Sequence, residues 1–122
     1  MFAPWLLLDT RQTAMSNDFP LLLDQIRALL DAAPDDEAGL AEMENTLTDG
    51  CARALRLETE RVRIEKRIGE LARADEDPIQ LEELRILSDR RTQGEAELVR
   101  LRALLELLRQ RIHARRAVSL NA

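Results

Sequence analysis

The chain has 122 residues and a net charge of -5, with 34% charged, 45% apolar and only 2% aromatic side chains. That length supports one domain rather than two, and runs of Leu, Ala, Glu and Arg without any Tyr fit long helices better than a mixed α/β enzyme. The acidic balance argues against general nucleic-acid binding, which needs a net basic surface.

Charge is uneven along the chain. Residues 1–60 hold 12 acidic and 4 basic side chains, whereas residues 61–122 hold 11 and 14. The start, Met1 to Leu8, is apolar through Phe2, Trp5, Leu6, Leu7 and Leu8. It has no basic residue and Asp9 ends it early, which reads against a signal peptide or a membrane span. Met15 stands just ahead of a helix-start signal, so residues 1–14 could equally be an extension upstream of the true start. Residues 1–17 are expected to form a disordered tail.

Ser16, Asn17 and Asp18 offer helix N-caps, and Pro20 suits a first helical turn. A first helix is predicted over 18–33, with Phe19, Leu22, Leu23, Ile26, Leu29, Leu30 and Ala33 in one stripe at helical spacing. Pro34 stops it. Asp35, Asp36 and Glu37 then favour a new start, because carboxylates stabilise the positive end of a helix.

A second helix is predicted over 36–74. Its apolar seam is Leu40, Met43, Leu47, Gly50, Ala54, Leu57, Arg61, Ile64, Ile68 and Leu71, at alternating steps of three and four. A third is predicted over 78–116, with Leu81, Leu84, Leu87, Arg91, Gly94, Leu98, Leu101, Leu105, Leu108 and Ile112 as its seam. Residues 117–122 read as a C-terminal tail. In an antiparallel hairpin, facing residue numbers have a constant sum. Leu71 with Leu81, Ile68 with Leu84, Arg61 with Arg91, Leu57 with Gly94 and Gly50 with Leu101 all give 151 or 152. The turn then falls on Asp75-Glu76-Asp77-Pro78, where the helix breaker Pro78 also places it. This pairing sets each Gly against a Leu, small against large.

The expected fold is all-α: a long antiparallel helical hairpin, a coiled coil, with the shorter N-terminal helix packed at its base. The first helix is about 23 Å long and each hairpin arm about 57 Å, so the short helix covers less than half of the hairpin. Leu104, Leu107, Cys51 and Leu55 are expected to broaden the apolar surface that receives it.

Candidate sites divide between structural and functional readings. Asp75, Glu76 and Asp77 form an acidic tip that either reaches into a partner or caps the third helix. Arg61 and Arg91, facing across the seam, either snorkel to local carboxylates or grip a partner's carboxylate or phosphate. Leu55, Val62, Ile86 and Val99, together with Ile79, lie off the seam and could form a face for a protein partner or a second copy. Cys51 is the lone Cys, so no internal disulfide is possible, which fits a reducing compartment and a cytoplasmic location. With His113 the lone His, a structural zinc site is not credible. The Arg run over 109–116 balances the acidic first helix and has no interleaved aromatics for base stacking. No motif implies a catalytic residue, metal, cofactor or small-molecule substrate.

The hairpin over residues 40–112 with its acidic tip resembles the secondary-channel factors of bacterial RNA polymerase. That resemblance implies a regulator of the transcription machinery working through Asp75, Glu76 and Asp77, although the second globular domain or zinc site of those factors has no counterpart here. The layout is also similar to flagellar-type export chaperones, small helical hairpins that hold an apolar client segment. The primary expectation is a non-catalytic coiled-coil interaction protein, an adaptor, chaperone or assembly factor acting by helix-face contacts or self-association.

Overall fold

A computed structural model describes residues 18–74 and 77–121, with side-chain surroundings for 19–74 and 77–118. It contains three helices, α1 (Asp18–Ala32), α2 (Glu37–Arg73) and α3 (Pro78–Asn121), and no strand among the described residues. The fold is all-α, as the seams predict. The tail expected over residues 1–17 lies outside the described residues.

Helix boundaries follow local chemistry. Ala33 closes α1 in the left-handed region, φ 42°, and its N–H donates to the Leu29 carbonyl at 3.0 Å. This is a left-handed C-cap, and Pro34 prevents continuation. Asp36 caps α2: its Oδ1 accepts from the Gly39 N–H at 2.8 Å, and its carbonyl accepts from Leu40 at 3.1 Å. A Cβ on Gly39 would run into the Pro34 ring. Glycine at 39 is thus what lets the chain fold back tightly between the helices. α3 runs to Asn121 rather than stopping at Arg116. No Pro or Gly follows Arg116 to break it, so Ala117–Asn121 continue the turn pattern instead of forming the expected tail.

The chain divides into two compact units. The first takes residues up to Leu47 and from Glu106 onward, the second Thr48–Leu105. In the first unit α1 packs with the start of α2 and the end of α3. Phe19, Leu23, Ile26 and Leu29 bury one stripe of α1, as their spacing requires, alongside Met43, Leu108 and Ile112. The buried polar residue there is Thr46, whose Oγ1 accepts from Gln25 Nε2 at 3.2 Å. That bond satisfies a hydroxyl that would otherwise be desolvated without return. Arg115 pairs with Asp35, and Arg116 Nε reaches Glu44 Oε1 at 3.1 Å.

The second unit is a two-helix hairpin. Ile64, Leu71, Leu87, Leu98, Leu101 and Leu105 are buried, and Ala54, Leu57, Ile68 and Leu84 are half-buried. Its register differs from the one the seams alone suggest. Gly50 lies under Leu105, not Leu101, and a Cβ at Gly94 would meet nothing within 4 Å. Leu81, expected opposite Leu71, is 51% exposed. The Gly50–Leu105 contact sums to 155, and carried along the hairpin that alignment would set Leu71 level with Leu84, Ile68 with Leu87, Leu57 with Leu98 and Ala54 with Leu101. It leaves Leu81 beyond the last layer. The ion pairs Arg67–Glu83 and Glu58–Arg102 sum to 150 and 160, either side of that value, as expected for long side chains reaching along the two edges of the seam. Leu55 and Leu107, expected to widen the surface that receives α1, are instead 64% and 51% exposed.

Candidate interaction surface

The acidic tip is only partly described. Asp75 and Glu76 lie outside the described residues. Asp77 is the N-cap of α3: its Oδ1 accepts from the Ile79 N–H at 3.0 Å and its carbonyl from Leu81 at 2.9 Å. Pro78 then takes the first helical position, where its missing N–H loses nothing. Asp77 therefore has a structural task.

The off-seam apolar residues do not form one face. On α2, Leu55, Glu58 and Val62 follow at spacings of three and four, one surface row. On α3, Val99 and Arg102 are three apart. Because Glu58 and Arg102 pair across the seam, Leu55, Val62 and Val99 all belong to that flank. They are 64%, 64% and 70% exposed. Ile86 belongs to the other flank. It follows Glu83 by three residues, and Glu83 holds Arg67 by two hydrogen bonds of 2.8 and 3.2 Å. Ile86 is half-buried there, with Ile79 exposed one row along. Ile86 thus separates from the other three because it lies 13 residues before Val99, not a whole number of heptads, and so points to the opposite edge of the seam.

Electrostatics also distinguish the flanks. On the Ile86 flank the Glu83 carboxylate, by hydrogen bonding, raises the Arg67 pKa, and Glu70 adds to it. Burial pushes the Glu60 carboxyl up, Glu97 adds repulsion, and Arg53 and Arg63 oppose both. Burial likewise lowers the Arg90 pKa. On the Leu55 flank, Arg61 Nε takes Glu65 Oε1 at 3.2 Å. Lys66 and Glu95 have no ion pair among the described residues.

The remaining candidates resolve simply. Arg61 and Arg91 are both exposed, and Arg61 pairs with Glu65 of its own helix. Cys51 is half-buried and His113 exposed. In the first unit an open depression is lined by Leu30, Asp31, Leu107, Gln110, Arg111 and Ala114. Its lining mixes the apolar Leu30, Leu107 and Ala114 with the polar Asp31, Gln110 and Arg111. Among the described residues no group of three His, Cys, Asp or Glu could hold a metal ion, and no helix is long and apolar enough to cross a membrane. Thr46 and its Gln25 partner had no sequence signal beyond a polar residue beside the seam.

No protein-family model matches the chain, and neither does any curated protein or solved structure at a significant level of similarity.

Proposed function

We propose that this protein is a non-catalytic, cytoplasmic interaction module that binds a protein through a helix face of its two-helix unit, as an adaptor, chaperone or assembly factor. The observation that carries the reading is the flank formed by Leu55, Val62 and Val99. Three large apolar side chains, each well over half exposed, share one side of a hairpin whose own seam is already filled. Scattered exposed apolar residues are ordinary, but Leu55 and Val62, seven apart on one helix, with Val99 beside them on the other, make a flank of the kind that meets another helix. The hairpin supplies a rigid backbone for it, so little order need be gained on binding.

Affinity capture of the tagged protein from its own cells tests this. Leu55→Glu, Val62→Glu and Val99→Glu should each remove the captured protein partner, while Ile86→Glu, on the opposite flank, should not. Substituting Asp75, Glu76 and Asp77 together by Ala separates the alternative. Loss of RNA polymerase subunits from the captured material on that change alone would move the working site to the tip.

A further inference from the structure

We infer that the open groove between α1 and α3 in the first unit receives the apolar stretch Phe2–Leu8 of the same chain. One wall of the groove is Leu30 and Asp31, the other Leu107, Gln110, Arg111 and Ala114, with about 400 Å³ between them. That is more space than one large side chain fills. The groove continues into an exposed apolar face of α3. Leu107, Ala114 and Val118 follow at steps of seven and four, and Leu107 and Val118 are 51% and 69% exposed. α1 buries its own stripe through Phe19, Leu23, Ile26 and Leu29, and among the described residues nothing covers this face of α3.

Composition and chain length single out the occupant. From Phe2 to Leu8 the large apolar side chains are Phe2, Trp5, Leu6, Leu7 and Leu8, and no residue is charged. Leu30 lies 12 residues beyond Asp18 on α1, about 18 Å along the helix. Residues 9–17 span up to about 30 Å when extended, so Leu8 reaches the groove with length to spare. A tether this short holds the stretch beside the groove at a roughly millimolar effective concentration, an advantage that no separate protein has. The charges agree in sign as well. Asp31 and Arg111 have no ion pair among the described residues. Asp9 and Arg11, which follow the apolar stretch, bring one charge to complement each. Docking gives this apolar stretch the burial that the expectation of a disordered tail over residues 1–17 denies it.

Trp5 reports the docking directly, because the chain has one Trp and no Tyr. In the full chain its emission should be blue-shifted from that of N-acetyltryptophanamide, and acrylamide should quench it several-fold less. Leu107→Glu should move the emission to the free value with helicity unchanged, since the position is exposed. Leu55→Glu, equally exposed but in the other unit, should not. Phe2→Ser combined with Leu6→Ser, ahead of α1, should give the same red shift while leaving the groove intact. The blue shift should survive about hundredfold dilution, because docking within one chain does not depend on concentration. Emission like that of the free fluorophore overturns the inference, as does a blue shift that Leu107→Glu leaves in place. A blue shift lost on dilution overturns it too, and seats Trp5 on a second copy instead. The Leu55–Val62–Val99 flank takes no part in this readout, so either reading can fail alone.

Discussion

In the three-helix unit Ile26, Met43 and Leu108 are completely sealed from solvent; in the two-helix unit Leu101 is sealed too, but Leu57, Ile68 and Leu84 stay half-buried and Leu81 is 51% exposed. The seam chemistry is the same in both units, with Leu, Ile and Met at heptad spacing. The difference is the third helix. Two helices cover each other along one narrow stripe, so every side chain at its margin keeps one side in water. Among the described residues each unit has two long-range ion pairs, Arg67–Glu83 and Glu58–Arg102 in the second and Arg115–Asp35 and Arg116–Glu44 in the first, but in the second they stand beside a less completely buried seam; pairs near the surface contribute only about 0–1 kcal/mol each. Apolar packing should therefore matter more in the first unit, and edge charge more in the second.

The largest test of that contrast is side-chain truncation. Met43→Ala removes a fully buried side chain from a closed core and should destabilise by about 2–5 kcal/mol in urea unfolding. Ile68→Ala, at a half-buried layer, should lose roughly half as much, because solvent already reaches the site. Equal losses would mean that the two-helix seam is as closed as the three-helix core.

Glycine substitutions sharpen the contrast at the next level, with opposite signs. Gly39→Ala forces a Cβ against Pro34 and should lower stability by about 1–3 kcal/mol. Gly94→Ala and Gly69→Ala meet open space and should each raise the melting temperature, gaining up to about 1 kcal/mol in helix propensity. A smaller loss, about 1 kcal/mol, is expected for Asp77→Ala through the missing cap, and Asp77→Ser should recover most of it. Failure of Ser to rescue would remove capping as the task of Asp77.

Much of this architecture is legible in the sequence, and the parts that are not have physical reasons. Pro34 and Pro78 punctuate, and the stripe from Phe19 to Leu29 declares its buried face. Register is harder. An a/d seam repeats every three or four residues, so sliding one arm by half a heptad still sets apolar on apolar. Sums of 152 and 155 then look alike. What separates them is detail at the margins: Leu81 left without a layer, Gly94 with nothing above it. Edge charges carry some of the missing information. Arg53, Glu60 and Arg67 recur every seven residues on α2, and Glu83, Arg90 and Glu97 do so on α3, a pattern that only certain alignments satisfy. The exposed apolar flank is half legible. Exposure of Leu55, Val62 and Val99 follows from their off-seam positions, but that Ile86 belongs to the other edge needs the ion pairs to tell left from right.

Glu60 gives the smallest and most specific test of the edge-charge idea. It occupies the margin of the two-helix seam, where burial and the facing Glu97 both raise its pKa against the pull of Arg53 and Arg63. A carboxyl whose pKa is higher folded than unfolded binds its proton more tightly in the folded state. The ionised group therefore opposes folding at neutral pH, and that opposition fades as pH falls through the folded pKa toward the unfolded value, about 4.3 for Glu. Glu60→Gln should consequently stabilise the protein at pH 7. Solvent screening at a half-exposed site limits the gain to below about 1 kcal/mol. The advantage over the parent should shrink on acidification and vanish once both states carry a protonated Glu60. Thermal melts of parent and variant between about pH 4 and 8 measure this directly. A gain that persists unchanged at the acid end would assign it to packing of the amide, and would leave the two-helix unit without evidence that edge charge tunes its stability.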